Sequence, residues 1–454
     1  MKRVKKNGCI SELMEPLHKI IFFCLIIGFC SHTSIPASVH AQANVLPIDA
    51  GKIYQLTLRS DSYWFDHADY SIFIPEGVTA IRGVFVHQHG CTMEGVGASS
   101  AFDIQYQALA KKWSLAVVGP DLYPKQGRNC FDWIEPESGS AQALVEVLEM
   151  VGQSSGHPEL KDAPWLLWGH SGGGYWTLAM MRDYPERILA AFAYSPAFDP
   201  QWDFPEAAAK VPLMIRHAGK NDFNGDAANC WNTALNTFSK LRKMNGHVSI
   251  ACNDDQNHNF SYVRYMAIPF YESAMAQRLP DKLSDKLRNI QPESEWIGDT
   301  LNYNIFKAST FTGDQSAMCL FPDSLAAAKW REYVITGTVA DRTPPPAPYD
   351  VRINRVGGNQ AELTWKADAD IESGIRHFII RVNGHPAAHL PSSDVYQRFN
   401  TNGDNAIPFC PPELKCNIFV PHGETGCTVS VSTVNHFNLE SEPCTTTFKI
   451  SNKQ

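Results

Sequence analysis

The sequence predicts an α/β fold with a doubly wound, mainly parallel sheet, followed by a small all-β sandwich. Three observations support this prediction. From Val45 to about Leu279, apolar strand candidates alternate with segments whose apolar residues recur at helical spacing. Residues 164–178 join a buried strand to a helix through a glycine-rich turn centred on Ser171. After the proline-rich segment 343–348 only short alternating strands remain, a pattern typical of sandwiches.

The elements of the first part follow from apolar patterning. The strands are apolar runs at 71–74, 83–87, 115–118, 165–168, 190–194, 213–217 and 247–251. The helices, with apolar residues at intervals of three and four, lie at 104–113, 141–151, 175–184, 227–244 and 260–278. About fifteen residues separate the strand ending at Tyr194 from the one starting at Val211. Because this connection is too short for a large lid, we expect an open active site that suits a bulky or polymeric substrate.

The turn at residues 169–173 has the sequence Gly-His-Ser-Gly-Gly. Gly169 and Gly173 stand at the two positions around Ser171 where a side chain would obstruct a sharp strand-to-helix turn. Such a turn exposes the serine hydroxyl at the carboxyl-terminal edge of the sheet. The motif is short enough to occur by chance, but the strand before it and the helix after it favour a catalytic nucleophile at Ser171.

A serine nucleophile needs two partners, because its hydroxyl is weakly reactive at neutral pH. A base must accept the proton, and an acid must orient that base. On this kind of sheet the chain order is serine, then acid, then histidine. Asp222 directly follows the strand 213–217, and His258 lies in the loop between the last strand and the last helix. The sequence therefore predicts Ser171, Asp222 and His258 as the catalytic set.

Other residues compete for the acid and base roles. Asp199 follows the preceding strand, and Asp226 stands four residues beyond Asp222, where it could cap a helix. His217 precedes the acid in the chain, and His247 stands at the start of a strand rather than after its end. These positions favour Asp222 and His258 over the alternatives.

The loop after the strand 83–86 is the candidate for an oxyanion hole. Acyl transfer develops negative charge on the carbonyl oxygen, which two backbone N–H groups must stabilise. One donor comes from the residue after the nucleophile, Gly172, and the other from this early loop. Gly90 lets the backbone approach the substrate, and we expect the N–H of Cys91 to be the second donor. The side chain of Cys91 could at the same time form a disulfide bond, with Cys130 as a candidate partner.

Two segments carry a resemblance to a known family. The run His89-Gly90-Cys91-Thr92 and the turn around Ser171 resemble those of serine α/β-hydrolases, in the esterase group of polyhydroxybutyrate depolymerases, acetylxylan esterases and feruloyl esterases. The resemblance covers roughly residues 70–275. It implies an α/β-hydrolase fold and cofactor-independent hydrolysis of carboxylic esters, with the roles assigned above to Ser171, Asp222, His258 and Cys91. The chain departs from the family's usual alanine or methionine after the nucleophile by having Gly172.

The C-terminal part resembles a fibronectin type III domain. The features are Pro346-x-Pro348 at its entry, Trp365 on the second strand, and strands at 350–354, 360–366, 377–382 and 427–435. Cys427 stands where that family generally has a tyrosine. We expect Trp365 to lie in the core and the sandwich to serve as a spacer or a docking surface.

The N-terminus has the form of a secretory signal. Basic residues precede a short apolar run at 20–30, and Ala41-Gln-Ala43 has the form of a cleavage site. We expect a mature chain that begins near Asn44, without a transmembrane segment, in a secreted, periplasmic or cell-surface location. Removal of residues 1–43 takes away five basic and two acidic side chains, which leaves a net charge of about −11 and argues against nucleic acid as a partner.

Nine cysteines remain after that cleavage. An exported chain with so many cysteines is expected to form disulfide bonds. Cys230 opens the helix after the acid loop and Cys252 ends the strand before the histidine loop, so we expect a bridge between these two. Because Cys410 and Cys416 lack further ligands at zinc-site spacing, we expect no metal site and no cofactor.

The sequence thus divides into four parts: a signal peptide at 1–43, a catalytic domain at 44–279, a connecting strap with a proline-rich linker at 280–343, and a sandwich at 344–454. Within the strap we expect one helix over 321–337, capped by Asp323 or Ser324 and ended by Gly337.

The expected function is hydrolysis of esters of extracellular polymers, such as acetylated or feruloylated polysaccharide. Trp133 and Trp202, together with Phe204, could form an aromatic platform for the substrate, although they could equally anchor their loops. The alternatives are a polyester depolymerase, a serine peptidase and a non-catalytic adhesion protein that docks through the sandwich.

Overall fold

The computed structural model describes residues 43–225, 229–259, 261–282, 285–357, 359–392, 395–397, 413–419 and 426–449. The expected signal peptide, apart from its last residue, lies outside these residues, as do Asp226 and Cys410. No helix within the described part of the chain is long and apolar enough to cross a membrane.

A mixed sheet of nine described strands organises the first part of the chain, in the order β1-β2-β3-β5-β4-β6-β7-β8-β9. The strands are β1 (Asn44–Ile48), β2 (Gly51–Leu58), β3 (His67–Pro75), β4 (Gly83–Gln88), β5 (Leu115–Tyr123), β6 (Trp165–His170), β7 (Ile188–Tyr194), β8 (Leu213–His217) and β9 (Val248–Cys252). In this sheet order, all neighbouring strands from β5 to β9 are parallel. The pairs β1–β2, β2–β3 and β3–β5 are antiparallel. The carboxyl ends of the parallel strands therefore meet at one edge.

The central strands are buried along their whole length because helices cover both faces. All residues of β6 and β7 are buried, and the Trp168 ring stacks between His87 and Phe192. The α-helices within the described residues are α1 (Ser99–Phe102), α2 (Ile104–Trp113), α3 (Ser140–Ser155), α4 (Gly172–Asp183), α5 (Glu206–Ala209), α6 (Cys230–Lys243), α7 (Arg264–Arg278) and α8 (Ser324–Thr336).

The strap, predicted with one helix, also contains a small sheet. Its strands are β10 (Trp296–Gly298), β11 (Ile305–Lys307) and β12 (Cys319–Phe321). The helix α8 begins after Asp323, whose side chain accepts a hydrogen bond from Ala326 N, and ends at Gly337 in a left-handed conformation. Trp330 of α8 donates to the carbonyl of Ile250 in β9, at a distance of 2.8 Å. The strap therefore packs against the β9 edge of the main sheet.

The C-terminal part forms two facing antiparallel sheets. One has the order β13-β14-β17 and the other β16-β15-β18-β19. Their strands are β13 (Tyr349–Gly357), β14 (Gln360–Lys366), β15 (His377–Val382), β16 (His385–Leu390), β17 (Lys415–Phe419), β18 (Gly426–Val434) and β19 (Cys444–Lys449). Trp365 is buried between the sheets against Phe378, as predicted. The predicted fold class, an α/β-hydrolase sheet followed by an all-β sandwich, is confirmed.

The sandwich packs directly on the α/β part, which corrects the expectation of a spacer. Lys111 of α2 forms an ion pair with Asp368 at 2.8 Å, and Gln105 donates to the Ile371 carbonyl. The ring of Phe437 lies 5.6 Å from that of Tyr265 in α7. The proline-rich linker therefore connects two surfaces that are already in contact.

Candidate active site

Ser171 occupies the tight turn between β6 and α4. Its backbone has φ 55° and ψ −115°, a conformation that costs an ordinary residue about 1–3 kcal/mol. Backbone hydrogen bonds hold the strained turn in place: Ser171 N donates to the Tyr194 carbonyl, and Ala197 N donates to the Ser171 carbonyl. A Cβ on Gly169 would lie 1.9 Å from the Gly173 carbonyl oxygen, so glycine is required there.

Asp222 and His258 form a direct hydrogen-bonded pair at the same sheet edge. The Nδ1–Oδ1 distance is 2.6 Å. Asp222 follows β8 through one turn of 3₁₀ helix, and His258 lies in the loop between β9 and α7. The His258 carbonyl also accepts a hydrogen bond from His170 Nε2, at 3.1 Å. Because His170 precedes Ser171, this contact joins the histidine loop to the serine turn.

The Asp222 carboxylate is buried and well provided with donors. Its Oδ2 accepts hydrogen bonds from Ser195 Oγ at 2.8 Å and from Ala218 N at 2.7 Å, and its Oδ1 accepts one from Phe223 N. Burial alone raises the pKa of Asp222, but the His258 hydrogen bond and charge, the Ala218 N–H and the Arg216 charge hold that pKa well below its usual value. Asp222 is therefore ionised and suited to orient and stabilise a protonated imidazole.

The competing acids and bases lie elsewhere. Asp199 accepts a hydrogen bond from Asn236 of α6. His217 is buried, which lowers its pKa to about 4, and its Nδ1 accepts a hydrogen bond from Gly219 N. His247 Nδ1 lies 3.5 Å from the Glu295 carboxylate at the opposite end of β9, and burial lowers the pKa of His247 to about 4. Asp222 and His258 are the pair that the structure brings together.

The loop at Gly90 and Cys91 packs against the turn that carries Ser171 and Gly172. A Cβ built on Gly172 would lie 3.3 Å from Cys91 N, and one built on Gly90 would lie 3.3 Å from the Ser171 Cβ. His89 holds the loop, because its Nε2 accepts a hydrogen bond from Leu122 N while its Nδ1 donates to the Gly90 carbonyl.

The disulfide bonds differ from the expectation in part. Cys91 is joined to Cys130, the candidate partner considered above. Cys230 and Cys252, in contrast, are both free thiols, so the expected bridge between the acid loop and the histidine loop is absent. Cys230 Sγ instead lies 3.8 Å from His258 Nδ1, and Cys252 Sγ contacts Asp254.

Asp222, Cys230 and His258 are the described residues whose ligand atoms come close enough together to hold a metal ion. Burial, followed by the neighbouring Asp222 charge, raises the pKa of the Cys230 thiol, which keeps it protonated and weakens it as a ligand. The Nδ1–H of His258 is already engaged with Asp222. The arrangement therefore fits a proton-transfer pair better than a metal centre.

The predicted aromatic platform needs correction. Trp133, three residues after the disulfide residue Cys130, has no exposed surface, and its ring lies 5.0 Å from that of His89. It anchors the loop and offers no surface to a substrate. Trp202 is half-buried: its Nε1 donates to the Tyr175 hydroxyl, and Arg182 lies over its ring.

Two exposed phenylalanines near the site were not predicted from the sequence. Phe131, 53 % exposed, follows the disulfide residue Cys130 and packs against Phe198. Phe223, 59 % exposed, follows Asp222 and lies beside the His258 ring. The feature of the sequence that could have identified them is their position directly after Cys130 and Asp222. Two buried polar residues, Ser195 and Arg216, were also missed; the signal for Arg216 was a charge within an apolar strand.

Comparisons with known proteins complete the description. A scan against models of protein families gives no match, and neither does a search of curated proteins. Solved structures do match, at low identity. The chain is 15% identical to a thermostable esterase over 44% of its own length and 54% of that chain, with a TM-score of 0.34. It is 16% identical to an S-formylglutathione hydrolase from Agrobacterium tumefaciens, over 47% of this chain and 91% of that one, with a TM-score of 0.36.

The sandwich has its own likeness. A fibronectin-III array of a RIM-binding protein matches 25% of this chain at 13% identity, with a TM-score of 0.18. The match spans 38% of that array. These likenesses are too weak to support an assignment of function, and the fold is established by the strand order and pairing described above.

Proposed function

We propose that the protein is a serine hydrolase that cleaves carboxylic esters through an acyl-enzyme. The observation that carries the proposal is the 2.6 Å Asp222–His258 pair at the strand edge where Ser171 occupies a strained turn. A buried acid, a histidine and a conformationally strained serine at one sheet edge match the requirements of nucleophilic acyl transfer.

In the proposed mechanism His258 accepts the proton of Ser171 as the serine oxygen attacks the ester carbonyl carbon. Asp222 stabilises the resulting imidazolium, and the N–H groups of Cys91 and Gly172 stabilise the oxyanion. The C–O bond to the alcohol breaks, and His258 returns the proton to the leaving oxygen. Water then repeats the sequence on the acyl-enzyme, which releases the acid and restores Ser171.

The nucleophile is tested by Ser171→Ala in the exported chain, whose intact mass should correspond to residues 44–454. We expect hydrolysis of a short p-nitrophenyl ester to fall by about four orders of magnitude or more, with unchanged folding by circular dichroism. Fluorophosphonate labelling should be lost at the same time. Ser154→Ala, on the exposed side of α3, is the matched control and should keep full activity. Full turnover by Ser171→Ala would contradict the proposal, and faster cleavage of chromogenic amides than of esters would favour a peptidase.

We further propose that the substrates are esters of extracellular polymers, with acetylated or feruloylated polysaccharide first and aliphatic polyester second. Export is supported by the signal-like N-terminus and by the Cys91–Cys130 disulfide, which is stable in an oxidising compartment. The connection between β7 and β8 contains only the four-residue helix α5, which leaves the site without a large lid there. Phe131, next to the disulfide residue Cys130, and Phe223, next to Asp222, offer exposed apolar surface near it.

This substrate class is tested by product analysis on acetylxylan, feruloylated arabinoxylan and polyhydroxybutyrate in parallel with small soluble esters. We expect release of acetate or ferulate from the polysaccharides at rates at least comparable with those on the small esters, because an open site admits a chain. Ser171→Ala serves as the blank. Much faster turnover of the small esters than of all three polymers would contradict a polymeric substrate and leave the hydrolase assignment intact.

A further inference from the structure

A buried arginine lies directly behind the Asp222–His258 pair. Arg216, on β8, has no exposed surface, and the four hydrogen bonds of its guanidinium go to neutral oxygens. Its guanidinium also lies 4.9 Å from the centre of the Tyr194 ring. A buried cation is costly unless its surroundings compensate it, so this position requires an explanation beyond packing.

The arginine reaches the acid through one hydroxyl group. Arg216 Nη1 donates to Ser195 Oγ at 3.2 Å, and the same Oγ donates to Asp222 Oδ2 at 2.8 Å. Ser195 is itself held at a positive φ of 44°, and its N–H donates to the Arg216 carbonyl. The carboxylate that faces His258 on one side is therefore linked to a cation on the other.

The same arginine also holds the histidine loop. Its Nη1 donates to the carbonyl of Asn257, the residue before His258, at 3.0 Å, and its Nη2 donates to Gln256 Oε1 at 2.8 Å. A planar guanidinium can make these bonds together, whereas the ammonium of a lysine cannot reproduce the fork. One side chain thus fixes the acid and the loop that carries the base.

The remaining hydrogen-bond partner of Arg216 belongs to α8, outside the main sheet. Arg216 Nε donates to the Tyr333 hydroxyl of α8 at 2.8 Å, and that hydroxyl donates in turn to Gln256 Oε1. Gln256 Nε2 donates to the carbonyl of Gly337, just beyond α8. Tyr333 is fully buried, so the contact excludes water.

We propose that Arg216 and Tyr333 are positioning residues of the active site, and that α8 thereby supports the geometry of the Asp222–His258 pair. The inference rests on the proposed function and deepens it. Neither residue touches the reacting atoms. Together they fix where the acid and the base stand relative to the serine turn, and a displacement of about 1 Å in such a site costs about a hundredfold in rate.

The decisive variant is Tyr333→Phe, which removes one hydroxyl and keeps the ring. We expect kcat for a short p-nitrophenyl ester to fall about ten- to a hundredfold, with KM within about twofold, because the site is misaligned rather than blocked. The downfield proton NMR signal of the His258–Asp222 hydrogen bond should shift or broaden. Arg216→Lys should lower kcat at least as much. Tyr63→Phe, which also removes a buried hydroxyl bonded to a side chain, is the matched control and should keep wild-type kcat.

These measurements distinguish a failure of the proposed function from a failure of the positioning role. The NMR signal reports the hydrogen bond whether or not an ester is cleaved, so failure of the wild-type chain to hydrolyse esters would count against the proposed function alone. A folded Tyr333→Phe protein with wild-type kcat and an unchanged signal would overturn the positioning role. If Arg216→Lys does not fold, Tyr333→Phe still decides the question.

Discussion

At the scale of single residues, Gly172 explains why this chain departs from the pattern of the esterases it resembles. A Cβ at this position would lie 2.2 Å from Cys91 Sγ. That sulfur is fixed by its bond to Cys130 and cannot rotate away. The Cys91–Cys130 disulfide therefore requires glycine at position 172.

Gly172→Ala should consequently damage the site although alanine is common at this position in the resembling esterases. We expect a loss of about 1–3 kcal/mol in the free energy of unfolding from overpacking, and a fall in kcat of about a hundredfold as the oxyanion donors separate. Chemical denaturation and ester kinetics measure both quantities. The same change combined with Cys91→Ala and Cys130→Ala should recover much of the lost kcat. A single variant as stable and active as the parent would contradict the coupling.

The positions of individual residues could be predicted from the sequence where local chemistry determines them. The chain order and the strand ends predicted where Asp222 and His258 would meet, although their catalytic role stays a prediction. Trp133 shows the limit of such predictions, because its complete burial depends on how its loop packs in three dimensions. The prediction of a Cys230–Cys252 bridge was wrong for a similar reason. The distance between the two loops depends on tertiary packing, which the sequence pattern does not reveal.

At the scale of elements, the predicted and observed boundaries agree best where capping residues in the sequence set the ends of a helix. The expected helix over 321–337 is observed as Ser324–Thr336, with Asp323 and Gly337 at its ends. The three-residue strands β10, β11 and β12 were not predicted, because such short segments carry no periodicity. The link from α8 to the active site was also beyond prediction: it joins Tyr333 to Arg216, which lies 117 residues earlier in the chain.

At the scale of the whole molecule, the sandwich is joined to the strap through buried carboxyl groups. Asn435 Nδ2 donates to Asp341 Oδ2 at 2.8 Å and to Asp370 Oδ2 at 3.0 Å. Burial raises the pKa of Asp370 to about 7; the Asn435 hydrogen bond opposes this shift, and the Asp341 charge adds to it. The pKa of Glu372 is raised in the same direction, first by burial.

These shifts predict how stability depends on pH. A carboxyl group whose pKa is higher in the folded state favours folding while protonated, so its contribution is present below about pH 4 and is lost as the pH rises through 7. Asp370→Asn, which stays neutral, should therefore flatten the decline in unfolding free energy between pH 4 and 7, with Glu372 maintaining a residual slope. Denaturant titrations at several pH values measure this slope. An identical slope in the variant and the wild-type chain would contradict the assignment.

Asp103 gives the contact between sandwich and sheet an evolutionary meaning. Its side chain caps α2 through Gln105 N and Tyr106 N, binds Arg264 of α7 at 2.8 Å, and accepts a hydrogen bond from Gln397 of the sandwich region. A recombination event that replaced the sandwich with an unrelated module would remove the Gln397 hydrogen bond to this carboxylate and the Asp368 and Ile371 contacts to α2. We therefore expect the two parts of the chain to be inherited together and to diversify by compensating substitutions across their shared surface.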